Sequence, residues 1–400
     1  MKNLLLAAFL WSMSLVAAAD YLQVGDAVPE FPANAEWFVG GAQKINDFGD
    51  KKLLVLYFGK AGCPSCDEFA PHLYRLLRKY PQELRVILVN PKIAPSAEVA
   101  DYAKERKLGD YPIMRDPDDG FVSRFIGKIH QFPYTALVGN DGKLLWFGRS
   151  KFHEQVTAEV ERALGKLSAE TVAPATNAAA VVVGVDAPPT LPTALRSPSR
   201  DSAAIAAALE KRGYAVTRLA GKVLHAQIGE ALTKSRAAVG DAGQVLFFFS
   251  GDALEIRDGK DVAIALSDGD LTFGEIAALA RPEIFIVDAP QVDALSGIND
   301  GVPSAERIFN EMTKNLAAAF PQSAILMSAA RFDRSQLNAA RDGTLFAQAL
   351  TAALDGGAAT LNEILRAVNL QLSDHSRRSG VLQSAALWGK NQALKMKNEE

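Results

Sequence analysis

The chain has 400 residues, of which 48% are hydrophobic and 22% charged, with a formal net charge of -3. That length suits two ordinary domains, and that apolar content can bury real cores. The slight negative balance argues against nucleic acid or an anionic membrane surface as the main partner.

The N-terminus reads as an export signal. Lys2 precedes the apolar run LLLAAFLWSMSLV, which is too short to cross a bilayer as a helix. AAAD follows, with Ala17 and Ala19 as the small residues of an A-x-A cleavage site. A signal peptide over residues 1–19 and a mature chain from Asp20 are expected; an uncleaved N-terminal anchor is the alternative. No cysteine follows the run to carry a lipid, and no later stretch is long and apolar enough to span a membrane. The expected location is periplasmic or secreted, an oxidising compartment.

The next 145 residues alternate strand and helix. KKLLVLYFG (51–59) is a continuous apolar run, as a strand buried on both faces should be. CDEFAPHLYRLLRKY (66–80) places Phe69, Leu73, Leu76, Leu77 and Tyr80 at helical spacing. LRVILVN (84–90) predicts a second strand and SAEVADYAKERKL (96–108) a second helix. YTALVGNDGKLLWFG (134–148) predicts two strands joined by Asn-Asp-Gly turn chemistry. HEQVTAEVERALGKL (153–167) closes as an amphipathic helix. The order β-α-β-α-β-β-α is that of a thioredoxin-like sheet.

Both cysteines of the chain, Cys63 and Cys66, lie in this part, two residues apart at the junction of the first strand and helix. Pro64 falls at the first helical position, which tolerates a missing N–H. The Cys63 sulfur is thereby expected at a helix N-terminus, where unpaired N–H groups and the helix dipole favour a thiolate. Cys66, one turn on, is placed to resolve a mixed disulfide. Two other readings stand beside a redox couple. A zinc site needs about four ligands, and of the histidines His72, His130, His153, His225 and His375 the nearest, His72, is a lone candidate. A purely structural bridge constrains little chain entropy across so short a loop. No metal and no cofactor are expected.

VGDAVPEF, LLVLYFG, CPSC and DPDDGFVSRFIGKIHQFPYTALVGNDGKLLWFG together resemble the TlpA-like branch of exported thioredoxin-fold proteins, over residues 20–166. The resemblance implies a cis peptide at Phe132-Pro133, lying against the cysteine pair and shaping a groove that takes a protein thiol or disulfide substrate as an added strand. The residue before the first cysteine is usually Trp in that family; here it is Gly62. Peroxidase relatives carry P-x-x-x-T-x-x-C, whereas Leu56 and Lys60 stand at the Pro and Thr places. Lys60 is either an electrostatic support for the thiolate or a solvated loop lysine.

GKLSAETVAPATNAAA (165–180) lacks aromatics and periodicity and reads as a seam, with the linker set at residues 167–179. Beyond it, AAVVVGVDA (179–187), the strand ending RDSAAIAAALEKRGYAVTRL (200–219), QVLFFFSGD (244–252), EIFIVDAP (283–290) and SAILMSAAR (323–331) predict strands. Helices are expected within 200–219, over 231–240, and in LFAQALTAAL and TLNEILRAVNLQL. Such alternation predicts a mostly parallel α/β sheet, with polar chemistry at the carboxyl ends of the strands.

The segments VVVGVDA, LFFFSGDA, FIVDAPQVD and SAALWG, in that order, resemble caspase/metacaspase-like peptidases over residues 180–390, ahead of a polar tail at 391–400. The family needs a His base where this chain has Asp252, and a Cys nucleophile where it has Pro290. With no cysteine beyond Cys63 and Cys66, no register supplies one. Asp252, Asp288 and Asp293, with Asp268 and Asp270 on an expected insertion loop, are either an acidic cluster for a cation or solvated loop acids. Ser250 has no histidine near it in sequence.

The sequence therefore predicts an exported thiol-disulfide oxidoreductase with an unidentified redox partner. A peptidase-inactive caspase-like module for protein binding follows it. The alternative is a scaffold protein whose CPSC is a structural disulfide.

Overall fold

The computed structural model describes residues 21–47, 51–105, 111–129, 131–150, 153–166, 177–186, 197–256, 261–289, 314, 317–328, 335, 337–338, 343–389 and 392–394. The export segment, His130, residues 167–176 of the linker, Pro290, Asp293 and most of the polar tail lie outside them. Two compact units divide the chain, 1–167 and 168–400.

The first unit is built on a six-stranded sheet. In chain order its elements are β1 (Glu36–Val39), β2 (Leu53–Phe58), α1 (Pro64–Lys79), β3 (Leu84–Asn90), α2 (Ser96–Glu105), β4 (Ile113–Arg115), α3 (Gly120–Ile126), β5 (Tyr134–Gly139), β6 (Leu144–Arg149) and α4 (His153–Ala163). The sheet order is β1-β4-β3-β2-β5-β6. β2, β3 and β4 run parallel, and the remaining pairings are antiparallel. All six residues of β2 are buried, which is why its sequence shows no alternation. β1, β4 and α3 go beyond the order expected from sequence, because three to seven residues leave too few turns of any period to read. α3 is instead set by Asp116, whose Oδ2 accepts the N–H groups of Phe121 and Val122 at 2.8 and 2.9 Å.

The second unit has the strand order β15-β14-β13-β9-β7-β8. Its parallel strands are β7 (Ala178–Val185), β8 (Ala215–Gly221), β9 (Gln244–Ser250), β13 (Ile284–Asp288) and β14 (Ala324–Met327); only β15 (Ala386–Trp388) pairs antiparallel. β10 (Ala253–Ile256), β11 (Asp261–Leu266) and β12 (Gly269–Thr272) form a separate antiparallel meander, unforeseen from the sequence. Its described helices include α5 (Pro198–Lys211), α6 (His225–Val239), α7 (Phe273–Ala280), α8 (Leu345–Asp355) and α9 (Leu361–Ser379).

Alternate residues of the strands feed two cores. Val181, Val183, Phe247, Phe249 and Phe285 pack on one face of the sheet, and Val182, Phe248 and Ile286 on the other. Both faces are covered, so the strands are apolar throughout. Gly184 marks the tightest approach: a Cβ there would lie 2.2 Å from the Pro198 carbonyl oxygen at the start of α5. The fold is α/β throughout, a thioredoxin-like unit followed by a caspase-like unit with a mostly parallel sheet.

Candidate functional site

Cys63 and Cys66 are joined in a disulfide. β2 ends at Phe58, and the connecting turn delivers Cys63 as the N-cap of α1 with extended backbone (φ -97°, ψ 112°). Pro64 opens the helix as expected. The N–H of Cys66 donates to Cys63 Sγ at 3.3 Å, so the sulfur occupies the place that a capping oxygen fills elsewhere. Cys63 is half-buried, whereas Cys66 is 2% exposed. Gly62 has φ +72°, and a Cβ there would meet nothing within 4 Å. Backbone conformation, not packing, is what favours glycine before the couple.

The approach loop is pinned from β3. Ala61 N–H donates to Asn90 Oδ1 at 3.2 Å, and the buried Asn90 amide donates onward to the Met114 carbonyl at 3.4 Å. Lys60 engages the couple through its carbonyl, which accepts the Cys63 N–H at 3.2 Å. Beneath the helix, the Tyr57 hydroxyl donates to the Cys66 carbonyl at 3.0 Å. Sequence reading passed over Tyr57 and Asn90. The signal for both was a polar-tipped residue at the carboxyl end of an otherwise apolar strand.

β5 lies beside β2 with Tyr134 opposite Phe58, so Pro133 and the loop to Cys63 lie at the same end of the sheet. The Phe132–Pro133 peptide is cis. Pro133 is buried and its carbonyl accepts the Ser150 N–H at 3.2 Å. Behind it, Thr135 Oγ1 and Ser150 Oγ share a hydrogen bond of 2.7 Å. Phe132 is half-buried, and its main-chain N–H and C=O have no partner among the described residues.

The carboxyl ends of β9 and β13 hold a different arrangement. Asp288 is fully buried; its Oδ1 accepts the Ser335 hydroxyl at 2.7 Å and its Oδ2 the Thr344 hydroxyl. Thr344 turns its N–H to Asp201 Oδ1 at 3.0 Å, and Ser250 Oγ lies 3.4 Å from Asp201 Oδ2. Asp201, in the first turn of α5, is 4% exposed. Burial, then the neighbouring Asp288, pushes its carboxyl up to about 7. Asp288 is raised by burial, against the pull of its hydroxyl donors. A Cβ on Gly343 would meet Asp201 Oδ1 at 2.8 Å.

Among the described residues, the acids singled out from sequence do not gather into one cluster. Asp252 is buried, and its carbonyl accepts the Ala265 N–H of β11 at 2.9 Å. Asp268 and Asp270 sit on the β11–β12 hairpin rather than a loose insertion, and both bind His225. The His225 ring lies 3.1 Å from Asp268 Oδ1 and 2.6 Å from the Asp270 carbonyl oxygen. Among the described residues no group of three or more His, Cys, Asp or Glu is placed to hold a metal ion. No helix among them is long and apolar enough to cross a membrane.

No protein of curated function matches the chain. Among solved structures, a candidate thioredoxin from Neisseria meningitidis is 23% identical, covering 37% of this chain and 95% of that one, with a TM-score of 0.30. A candidate thiol:disulfide interchange protein DsbE from Chlorobium tepidum is also 23% identical, covering 36% and 99%, at a TM-score of 0.29. The thioredoxin domain of a thiol-disulfide oxidoreductase from Bacteroides vulgatus is 20% identical, covering 34% and 97%, at 0.28. Residues 24–147 match the AhpC/TSA family. Residues 177–394, more than half of the chain, match the caspase domain of the peptidase C14 family, and it is to this family that the chain belongs.

Proposed function

We propose that the first unit is an exported thiol-disulfide oxidoreductase of TlpA-like type, and that the second is a caspase-fold module without peptidase activity that holds a protein partner. One observation carries the redox reading: the half-buried Cys63 sulfur caps a helix N-terminus while Cys66 is sealed one turn behind it. Such a sulfur is stabilised as thiolate, the attacking species in disulfide exchange.

With the pair reduced, the Cys63 thiolate attacks one sulfur of a client disulfide. The client S–S bond breaks, a Cys63–client bond forms, and the departing client thiolate takes a proton from solvent. The Cys66 thiolate then attacks Cys63 Sγ, forming the Cys63–Cys66 disulfide and releasing the second client thiol. The client gains two electrons and the pair loses two; the reverse sequence oxidises a client dithiol, and a partner dithiol or disulfide resets the pair. Pro133 shapes the groove, and the main chain of Phe132, which has no partner among the described residues, takes an extended client as an added strand.

The absence of peptidase activity rests on residue type. Residues 177–394 contain no cysteine, and the base position holds the buried carboxylate of Asp252 in place of an imidazole. A redox titration against glutathione tests the main reading. An exchangeable couple at about -120 to -270 mV is expected, and a bond more reducing than about -300 mV makes the disulfide structural and overturns it. Fractionation with intact-mass measurement tests export; a chain beginning at Asp20 in the cell envelope is expected, and a full-length chain confined to the cytoplasmic fraction removes that part of the proposal.

A further inference from the structure

We infer that Tyr57 is a positioning residue for the cysteine couple: its hydroxyl fixes the Cys66 carbonyl and, across the Cys66 Cα in the first helical turn, the orientation of the N–H that faces Cys63. The inference rests on the redox reading above and adds a residue to it. Tyr57 belongs to β2, directly beneath the first turn of α1, and is 2% exposed. Its hydroxyl donates to the Cys66 carbonyl at 3.0 Å. Its ring stacks on Phe69, one turn beyond Cys66, with centroids 5.4 Å apart and planes at 26°. The ring also lies beside the start of the approach loop, for a Cβ on Gly59 would lie 3.0 Å from Tyr57 Cε1. The ring thus packs on the helix that holds Cys66 and leaves no room for a side chain at the first residue after the strand.

The Cys66 main chain is therefore held on both sides of its Cα. Its N–H is shared between Cys63 Sγ at 3.3 Å and the Cys63 carbonyl at 3.0 Å, and its C=O, in the next peptide group, receives the phenol. The carbonyl already belongs to the i→i+4 ladder of α1, so it does not need the phenol to be satisfied. What the second donor adds is orientation: the first turn cannot rock without breaking it. Burial, with Tyr102, Asp67 and Tyr74 acting in the same direction, raises the phenol well above its ordinary value, so it stays a neutral donor at working pH. Removing the hydroxyl lets the Cys66 N–H drift from the sulfur. The Cys63 thiolate loses part of its stabilisation, the disulfide becomes relatively more stable, and Cys66 meets a mixed disulfide less well aligned.

A purely structural role predicts something else. A buried phenol without that bond costs stability and leaves the chemistry of the sulfurs alone. Full-length wild type, Tyr57→Phe and Tyr80→Phe separate the two. Tyr80 closes the far end of α1 and donates to Glu161 at 2.8 Å, so it controls for loss of a phenol bond on the same helix. Three quantities are read: the equilibrium constant with glutathione, the pH profile of Cys63 alkylation, and the rate at which Cys66 resolves a Cys63–glutathione mixed disulfide. Tyr57→Phe should move the equilibrium about three- to tenfold toward the disulfide, shift the alkylation profile to higher pH, and slow resolution by a similar factor. Tyr80→Phe should change none of them. A ring-fluorinated tyrosine at position 57, a stronger donor in an otherwise native fold, should move the equilibrium the opposite way and covers the case in which Tyr57→Phe folds poorly. The inference falls if Tyr57→Phe lowers only the melting temperature, if Tyr80→Phe shifts the three readouts equally, or if fluorination shifts the equilibrium in the same direction as Tyr57→Phe. A wild type that does not exchange with glutathione at all removes the redox reading together with the inference, whereas an exchanging wild type with a silent Tyr57→Phe removes the inference alone.

Discussion

Both units gather polar groups at the carboxyl ends of parallel strands, and they close those ends in opposite ways. After β2 the first unit leaves a sulfur at a helix N-terminus, half-buried, with the main chain of Phe132, just before the neighbouring strand, without a partner among the described residues. After β9 and β13 the second unit fills the same position in its sheet with its own donors: Ser335, Thr344 and Ser250 take up the oxygens of Asp288 and Asp201. The strand-end rule says where chemistry can sit in an α/β sheet. Whether it is open to a partner is decided by how many of its hydrogen bonds are already made inside the chain.

The largest effect expected from breaking this contrast is at the sulfurs. Cys63→Ser should abolish disulfide exchange, while Cys66→Ser should leave attack intact and accumulate mixed disulfides, seen as adducts on non-reducing gels. Adducts on Cys66 in the Cys63→Ser protein, at the wild-type rate, would reverse the roles. Next comes the sealed end. Asp288→Ala strands the buried Thr344 hydroxyl and the half-buried Ser335 hydroxyl and should cost the second unit about 2–4 kcal/mol in urea unfolding. A loss below about 0.5 kcal/mol would mean the seal contributes little.

The same end should respond to pH. The folded unit keeps a proton on Asp201 that the unfolded chain releases near 3.8. The stability this proton brings is fully present at low pH and is lost as pH rises through about 7. Asp201→Asn keeps the acceptor for the Thr344 N–H and should flatten that slope; an unchanged slope in the variant would place the titration elsewhere.

The contrast was half legible in the sequence. CPSC carries its geometry in consecutive residues, because a strand end, a proline at the first helical position and cysteines three positions apart are all local. LLVLYFG and QVLFFFSGD announce buried strands for the same reason. The acid pair is not local: Asp201, Asp288 and Thr344 are far apart in the chain and meet only once α5, β13 and α8 have docked. Asp201 also reads as an ordinary first-turn acid in RDSAAIAAALE, favourable beside any helix N-terminus. The start of α6 was missed because its first turn, HAQIGE, has no apolar stripe and is set from outside by Asp268.

That outside contact gives the smallest effect and the last test. His225 binds Asp268 and the Asp270 carbonyl, tying the β11–β12 hairpin to the start of α6. Burial pulls the imidazole down, but the bonds to Asp268 and Asp270 more than reverse it and leave it raised. A raised imidazole stabilises the fold fully below its ordinary value of 6.5 and loses that contribution as pH climbs through the folded value. Its side chain is 34% exposed and that of Asp268 39%, so solvent screens the pair. His225→Ala should therefore cost less than about 1 kcal/mol at pH 5.5 and still less at pH 9. It should leave the bonds from the His225 backbone N–H to Asp268 in place. Unlike the Asp201 slope, this one should shrink in high salt, because it belongs to the open surface of the unit rather than its sealed end. Equal losses at both pH values would show that the ring acts as a neutral hydrogen-bond bridge and that its charge plays no part.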